Sequence, residues 1–284
     1  MDMYTIDKNM SLGPATLIVK DLRLMKDFYL DKVGLTELNK TSQTIVLGVK
    51  NRPLIILKER TEESSSEQKA GLFHTAFLLP ERSDLGNILY KLLTEETPVS
   101  GASDHGYSEA IYLQDPEGNG IEIYRDKPKE KWTIQSDGRI PGVTKEMDGE
   151  GVLNSRKNDT TQQMPEGTVI GHMHLSVRNL DETQQFYSDV LGMSLKDYFG
   201  SQARFLAGGG YHHHIGSNTW AGSGLTVRNK EDLGLQSLTI HLSSAEKINE
   251  LRTHLETNQI EFNEIEEAIE LKDPNGIIVR ITVE

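Results

Sequence analysis

The chain has 284 residues, enough for about two domains, and its 36% hydrophobic and 26% charged fractions are those of an ordinary soluble globular protein. Its 43 acidic and 30 basic side chains leave a formal charge of −13, which repels phosphate backbones and argues against a nucleic-acid partner. Cysteine is absent, which excludes disulfides, thiolate nucleophiles, cysteine-bound zinc and iron–sulfur clusters, so any metal must rest on His, Asp, Glu or backbone oxygen.

Along the chain, the opening decapeptide MDMYTIDKNM lacks a basic stretch followed by an apolar one, and no apolar run approaches a membrane-spanning length. The expectation is a cytoplasmic chain with no membrane segment. Residues 12–19 read as a strand, with Leu17, Ile18 and Val19 apolar and Lys20–Asp21 ending it. A helix is predicted over 21–33. Leu22, Met25, Phe28, Tyr29 and Val33 share one 3.6-period face, with Asp21 as N-cap and Gly34 just past the end. Short β-like runs follow at 44–49 and 53–58. The order then repeats: a strand at 72–79, a helix near 83–94 with Leu85, Ile88, Leu89, Leu92 and Leu93 apolar, and strands at 109–113 and 120–125. The turn Asp115–Pro116–Glu117–Gly118–Asn119–Gly120 joins the last two strands. Residues 127–167 are rich in charge, Gly and Pro without periodicity, as in a long connector packed on the surface. Further units start near 169 and 236.

The second half repeats the first. Val19–Lys20–Asp21–Leu22, Phe28–Tyr29, Asp31 and Gly34 recur as Val177–Arg178–Asn179–Leu180, Phe186–Tyr187, Asp189 and Gly192, always 158 positions on. Asp115–Pro116–Glu117–Gly118 lands on Asp273–Pro274–Asn275–Gly276 at the same spacing. A register held over this distance indicates duplication. The organisation expected is a first half, 1–126, with module 1 (12–58) and module 2 (71–126); a connector, 127–167; and a second half, 168–284, with module 3 (168–220) and module 4 (235–284).

Four βαβββ modules, the phrase FYxDxxG after the first strand of each half, and DPxGNxIEIY closing a module resemble the vicinal oxygen chelate superfamily. That superfamily includes glyoxalase I, fosfomycin resistance proteins and type I extradiol dioxygenases. The segments GLFHTAFLLPER, GASDHGYSEAIYLQDPEGNGIEIYRDKP, IGHMHLSVRNL and GGGYHHHIGSNTW are similar to the bacterial catechol 2,3-dioxygenase-like branch. DPxGN alone is common; the four segments in this order are specific. The resemblance covers the whole chain apart from the connector. It implies an α+β fold in which paired modules form two curved-sheet domains, with metal ligands on the first and last strands of a module.

The resemblance places metal ligands at His74 and Glu122 in module 2 and at His172 in module 3. His174, on the same face as His172, is expected to play a supporting or structural part. Alternation puts Ile121 and Ile123 on one face of their strand and Glu122 on the other. Alone, Glu122 could equally face water on an edge strand, because a carboxylate is costly to bury unpaired. The duplication sets Pro14 under His172 and Arg280 under Glu122, and the module helices set Ser237 under His74. Modules 1 and 4 therefore look metal-free. Either module 2 packs on module 3 within one chain, which is expected, or the site forms between subunits. In the better-known extradiol enzymes modules 3 and 4 build the site.

Two imidazoles and a carboxylate make the facial triad of non-haem Fe(II) oxygenases, and Mn(II), Zn(II) or Ni(II) suits the same donors. By the same resemblance His213 is the acid–base residue, Tyr112 bonds a substrate oxygen and His105 steadies the substrate. The His105–Tyr112 segment is two residues shorter here than in those enzymes. The Tyr211–His214 run closes module 3, where His212 and His214 alternate to the other face of the strand from His213, and a one-residue slip would exchange them. Trp220 fits the substrate entrance and core packing equally. The expectation is a metal-dependent extradiol ring-cleaving dioxygenase taking a catechol or hydroquinone-type aromatic and dioxygen, with no nucleic-acid or membrane partner and with homo-oligomers common among relatives. The alternatives are a glyoxalase-like lyase, isomerase or thiol transferase, and a non-catalytic small-molecule binder.

Overall fold

A computed structural model describes residues 4–60, 67–157, 163–222 and 224–284; positions 158–162 of the expected connector lie outside them. Module 1 holds β1 (Ser11–Leu12), β2 (Ala15–Val19), α1 (Leu22–Phe28), β3 (Thr36–Lys40), β4 (Thr44–Val49) and β5 (Arg52–Glu59). Module 2 holds β6 (Gly71–Leu78), α2 (Arg82–Thr94), β7 (Gly101–Asp104), β8 (Ser108–Gln114) and β9 (Gly120–Asp126). The connector contributes β10 (Lys145–Glu146) and α3 (Gly149–Asn154). Module 3 holds β11 (Val169–Ser176), α4 (Leu180–Gln185), β12 (Ser194–Phe199), β13 (Ala203–Ala207) and β14 (Ile215–Asn218). Module 4 holds β15 (Gly234–Leu242), α5 (Ala245–Thr257), β16 (Asn263–Ile265), β17 (Ala268–Lys272) and β18 (Ile278–Val283).

The helix expected over 21–33 starts where predicted: the Asp21 carboxylate accepts from the Leu24 N–H at 2.8 Å. It ends differently. Residues Tyr29–Val33 form a π turn, closed by Gly34 at φ 87°. The duplicate does the same at Phe186–Val190. In α2, Leu85, Ile88, Leu89 and Leu92 are buried in the same cluster as Ile121 and Ile123 of β9. Each such side chain contributes roughly 1.5–3 kcal/mol. Helix α2 thus packs on the face of β9 that carries Ile121 and Ile123, and alternation leaves Glu122 on the other face.

The two sequence signatures meet in space. Tyr29, from FYxD, donates its hydroxyl proton to Asp115, from DPxGN, at 3.1 Å. Asp115 also accepts from the Glu117 and Asn119 N–H groups, at 3.0 and 2.9 Å, which shapes the turn. Tyr187 is buried beside Asp273 in the duplicate; burial first, then that carboxylate, pushes its phenol well above its ordinary pKa.

Sheet pairing crosses the midpoint of the chain. Antiparallel pairing of β6 with β11 joins module 2 to module 3, and that of β2 with β15 joins module 1 to module 4. One strand series runs β10-β7-β8-β9-β6-β11-β14-β13-β12 and the other β3-β4-β5-β2-β15-β18-β17-β16; β1 pairs with both β11 and β15. Among the described residues no helix is long and apolar enough to cross a membrane.

Candidate metal centre and its surroundings

Strand register assembles the site. Ala76 of β6 lies opposite His172 on the β11 side and opposite Glu122 on the β9 side. His74, two residues back, shares its face. Three side chains therefore converge over one small methyl. Gly120 sits beside His74 in β9, where an added Cβ would fall 2.0 Å from the Phe73 carbonyl oxygen. Only glycine lets β9 approach β6 closely enough to present Glu122.

The His74 Nε2 and His172 Nε2 atoms are 3.3 Å apart, and each lies near Glu122 Oε2, at 3.1 and 3.2 Å. All three residues are buried. Glu122 lies on an interior strand, not on an edge open to water. Burial works against its ionisation, but the His172 and His74 imidazoles outweigh it and hold the carboxyl well below its ordinary pKa. Burial pulls His172 down to about 4, partly offset by Glu122. The Nδ1 of His172 is buried without a hydrogen-bond partner, so packing on Tyr124 and His213 orients that ring.

The donor set fits a divalent cation. Adjacent ligands about 2.1 Å from an ion and at right angles stand about 3.0 Å apart, close to the spacing here. Two imidazole nitrogens and a carboxylate oxygen aim at one point, and a proton cannot satisfy all three pairs. The group is a His–Glu–His triad able to bind a metal, and one chain supplies every donor.

The Tyr211–His214 run is not a strand; it precedes β14, so two-residue alternation does not apply. All three histidines are buried. The His213 ring stands 4.2 Å from that of His172, against 6.1 Å for His212. Burial first, then the imidazoles of His172 and His212, lowers the pKa of His213 well below the ordinary value. His105 and Tyr112 are joined: His105 Nε2 to the Tyr112 hydroxyl is 2.6 Å, and His105 Nδ1 to the Val143 carbonyl is 2.8 Å. A carbonyl only accepts, so Nδ1 carries the proton and Nε2 accepts from Tyr112. Burial, then Glu122, raises the Tyr112 phenol well above its usual pKa.

His174 stands opposite His74 in register and touches it ring to ring at 5.1 Å, but gives no donor to the triad. Trp220 is 46% exposed and meets Phe73 edge-on at 5.1 Å, which places it at the rim and not in the core. The equivalent position in the other module pair is closed by ion pairs: Arg280 binds Glu270 at 3.0 Å and Glu266 at 3.1 Å.

Sequence reasoning missed several residues around the triad. Asp126 follows Glu122 and Tyr124 on one strand face, an alternation legible beforehand, and its carboxylate lies 3.0 Å from His212 Nε2. Tyr107 stacks on His212 at 4.2 Å and Trp132 meets that ring at 5.3 Å. Trp132 and Val143 belong to the connector, which has no periodicity to announce them.

The fold and this cluster define a βαβββ-module metalloprotein, and the profile of the Glyoxalase/Bleomycin resistance protein/Dioxygenase superfamily matches residues 11–123 and 169–281; the chain belongs to that superfamily. Catechol-2,3-dioxygenase of Bacillus subtilis (strain 168) is 35% identical over 276 residues, covering 96% of each chain. With that relative the chain is an extradiol dioxygenase-like oxidoreductase. Among solved structures, the cppA protein of Streptococcus pneumoniae TIGR4 matches with a TM-score of 0.60, 15% identity and all of both chains. Glyoxalase I of Zea mays matches with a TM-score of 0.56 and 14% identity over 97% of this chain and 94% of its own. These two share the fold.

Proposed function

We propose that the protein is an extradiol ring-cleaving dioxygenase that opens a catechol or hydroquinone-type aromatic with dioxygen, using His74, His172 and Glu122 as the ligands of an Fe(II) ion; Mn(II) suits the same donors. The observation that carries this reading is the convergence of those three donors on one point, in a chain 35% identical to a catechol-2,3-dioxygenase. Fe(II) held there would supply the redox-active centre for the reaction of a vicinal diol with dioxygen.

The protein's own groups account for the proton chemistry. A diol hydroxyl reaching Tyr112 donates to its oxygen while the Tyr112 proton is directed at His105 Nε2. The pair therefore accepts a substrate proton without placing a charge on the tyrosine. His213, uncharged because it is buried, is the acid–base residue on the other side, against His172. Phe73 and Trp220 flank the rim with aromatic surface suited to a ring substrate. The working units are the pairs of modules 2 with 3 and 1 with 4; the halves 1–126 and 168–284, with the connector 127–167, describe descent by duplication. A reducing cytoplasm, which keeps iron ferrous, is the compartment this chemistry requires.

The test is anaerobic reconstitution with Fe(II), followed by catechol and air, watching for a coloured ring-fission product. Turnover of a hemithioacetal with Zn(II) or Ni(II), and none of any diol, would overturn the reading in favour of a glyoxalase-like activity.

A further inference from the structure

The two strands that carry the histidine ligands are locally out of step. Toward both ends β6 and β11 keep one register, with Ile170 opposite Phe77 and Leu175 opposite Leu72. Between these pairs the register moves by one residue, so that His172 faces Ala76 and His74 faces His174. Two extra residues make the shift: Gly171 in β11, just before His172, and Phe73 in β6, just before His74. A bulge re-aims the side chain beside it, and a shift of one residue turns side chains to the other face. The space beside Gly171 is filled from across the sheet. A Cβ there would fall 1.8 Å from the Tyr124 hydroxyl oxygen and 2.8 Å from its Cζ. Tyr124 is fully buried, two residues beyond Glu122 on the same face of β9, and its ring stands 4.9 Å from that of His172. The Tyr124 hydroxyl is 2.7 Å from that of Tyr211, whose ring packs on Trp132 of the connector at 5.9 Å.

His172 needs a support of this kind. A metal-bound histidine usually gives its outer N–H to a carboxylate, a carbonyl or a water, and that bond fixes the ring. Here Nε2 is turned to Glu122, so the outer atom is Nδ1; it is buried, and among the described residues it has no hydrogen-bond partner. We infer that Tyr124 is a positioning residue for the metal: seated in the space left by Gly171 and tied to Tyr211, its ring holds the His172 imidazole toward Glu122 and His74 in place of an outer hydrogen bond. The inference rests on the proposed role of His172 as a ligand. His213 also packs on that ring, at 4.2 Å, but from a loop. Tyr124 comes from the strand that carries Glu122, and strands hold geometry more closely than loops do. Strand β9 thus sets two of the three donors, Glu122 directly and His172 through Tyr124.

Metal binding tests this without turnover. In the full-length chain, competition with a chromogenic chelator gives the affinity for Co(II), and the visible Co(II) bands report the geometry of its ligands. Near-UV circular dichroism first shows that each variant is folded. Tyr124→Leu removes the ring and should weaken binding by about 10- to 100-fold, the usual loss when a ligand's support is taken away, and should shift the bands. Tyr124→Phe keeps the ring and should bring back most of the affinity and the native bands. Gly171→Ala displaces the tyrosine without deleting it and should weaken binding as well. Added to Tyr124→Leu it should cost little more, because the two residues act through one contact. Native affinity and native bands in Tyr124→Leu overturn the inference, and so does an equal loss in Tyr124→Phe, since the ring would then not be the part that orients. If Tyr124→Leu does not fold, Gly171→Ala decides, and native affinity there overturns the inference. Undiminished Co(II) binding by His172→Ala would instead sink the ligand assignment itself, whatever the Tyr124 variants do.

Discussion

Replacing Glu122 by Gln tests the centre of the site most directly. The change keeps size and removes one charge from a buried position flanked by two imidazoles at 3.1 and 3.2 Å. An ion that binds only the folded chain stabilises it by RT ln(1 + [L]/Kd), about 2.7 kcal/mol at one hundred times Kd. At roughly 2–4 °C per kcal/mol for a chain somewhat smaller than this one, the melting temperature should rise by about 5–10 °C. Anaerobic thermal denaturation with and without Fe(II), after chelator treatment, measures it. The native chain should show the increment, and Glu122→Gln should show almost none, because an amide is a poor, uncharged ligand and the two imidazoles alone lose most of the affinity. A Glu122→Gln chain with the full increment and stoichiometric iron would refute the placement of the ion between His74, His172 and Glu122.

Further expectations follow from the same geometry. Ala76→Leu should fill the floor between His172 and Glu122 and abolish iron retention while the chain stays folded, as read by circular dichroism and metal analysis. Gly120→Ala should part β9 from β6, lowering both melting temperature and iron content; an unchanged pair of values would contradict the close approach to Phe73. Tyr112→Phe should reduce kcat by about tenfold or more with iron retained, measured on catechol. Glu109 gives a pH prediction. It is buried, and burial opposes its charge, but Arg82 and Arg125 bind it at 2.8 and 2.7 Å and hold its pKa below the ordinary value. Its stabilising contribution is full above the unfolded carboxyl pKa, near 4.3, and is lost as pH falls through the lower folded value. Glu109→Gln should cost about 3 kcal/mol at neutral pH and flatten the acid limb of stability against pH; an equally steep limb would show that this cluster does not set it.

Much of this molecule was legible before any coordinates. The register of 158 marks a real duplication because each motif has a local job. Asp21 caps its helix, Gly34 supplies the left-handed residue after it, and Asp115 binds the amides of its own turn. Glu122 could be read as the odd residue on an apolar strand because alternation is a local property. Strands β3 and β7, in contrast, are short and polar, TELNK and GASD, and carry no apolar alternation by which to find them.

The sequence by itself determined the module count and the absence of thiolate ligands, and its family resemblance supplied the candidates His74, His172 and Glu122. Tertiary structure alone decided which modules share a sheet, since antiparallel pairing of β6 with β11 joins residues 98 positions apart at His74 and His172. It also decided the fate of the three consecutive histidines. In a loop their directions depend on what packs around them, and it is Tyr107, Trp132 and Asp126, from the loop before β8, the connector and β9, that turn His212 away and set His213 against His172. Local pattern can name a donor, but only packing brings donors from distant segments to within an ion's diameter of one another.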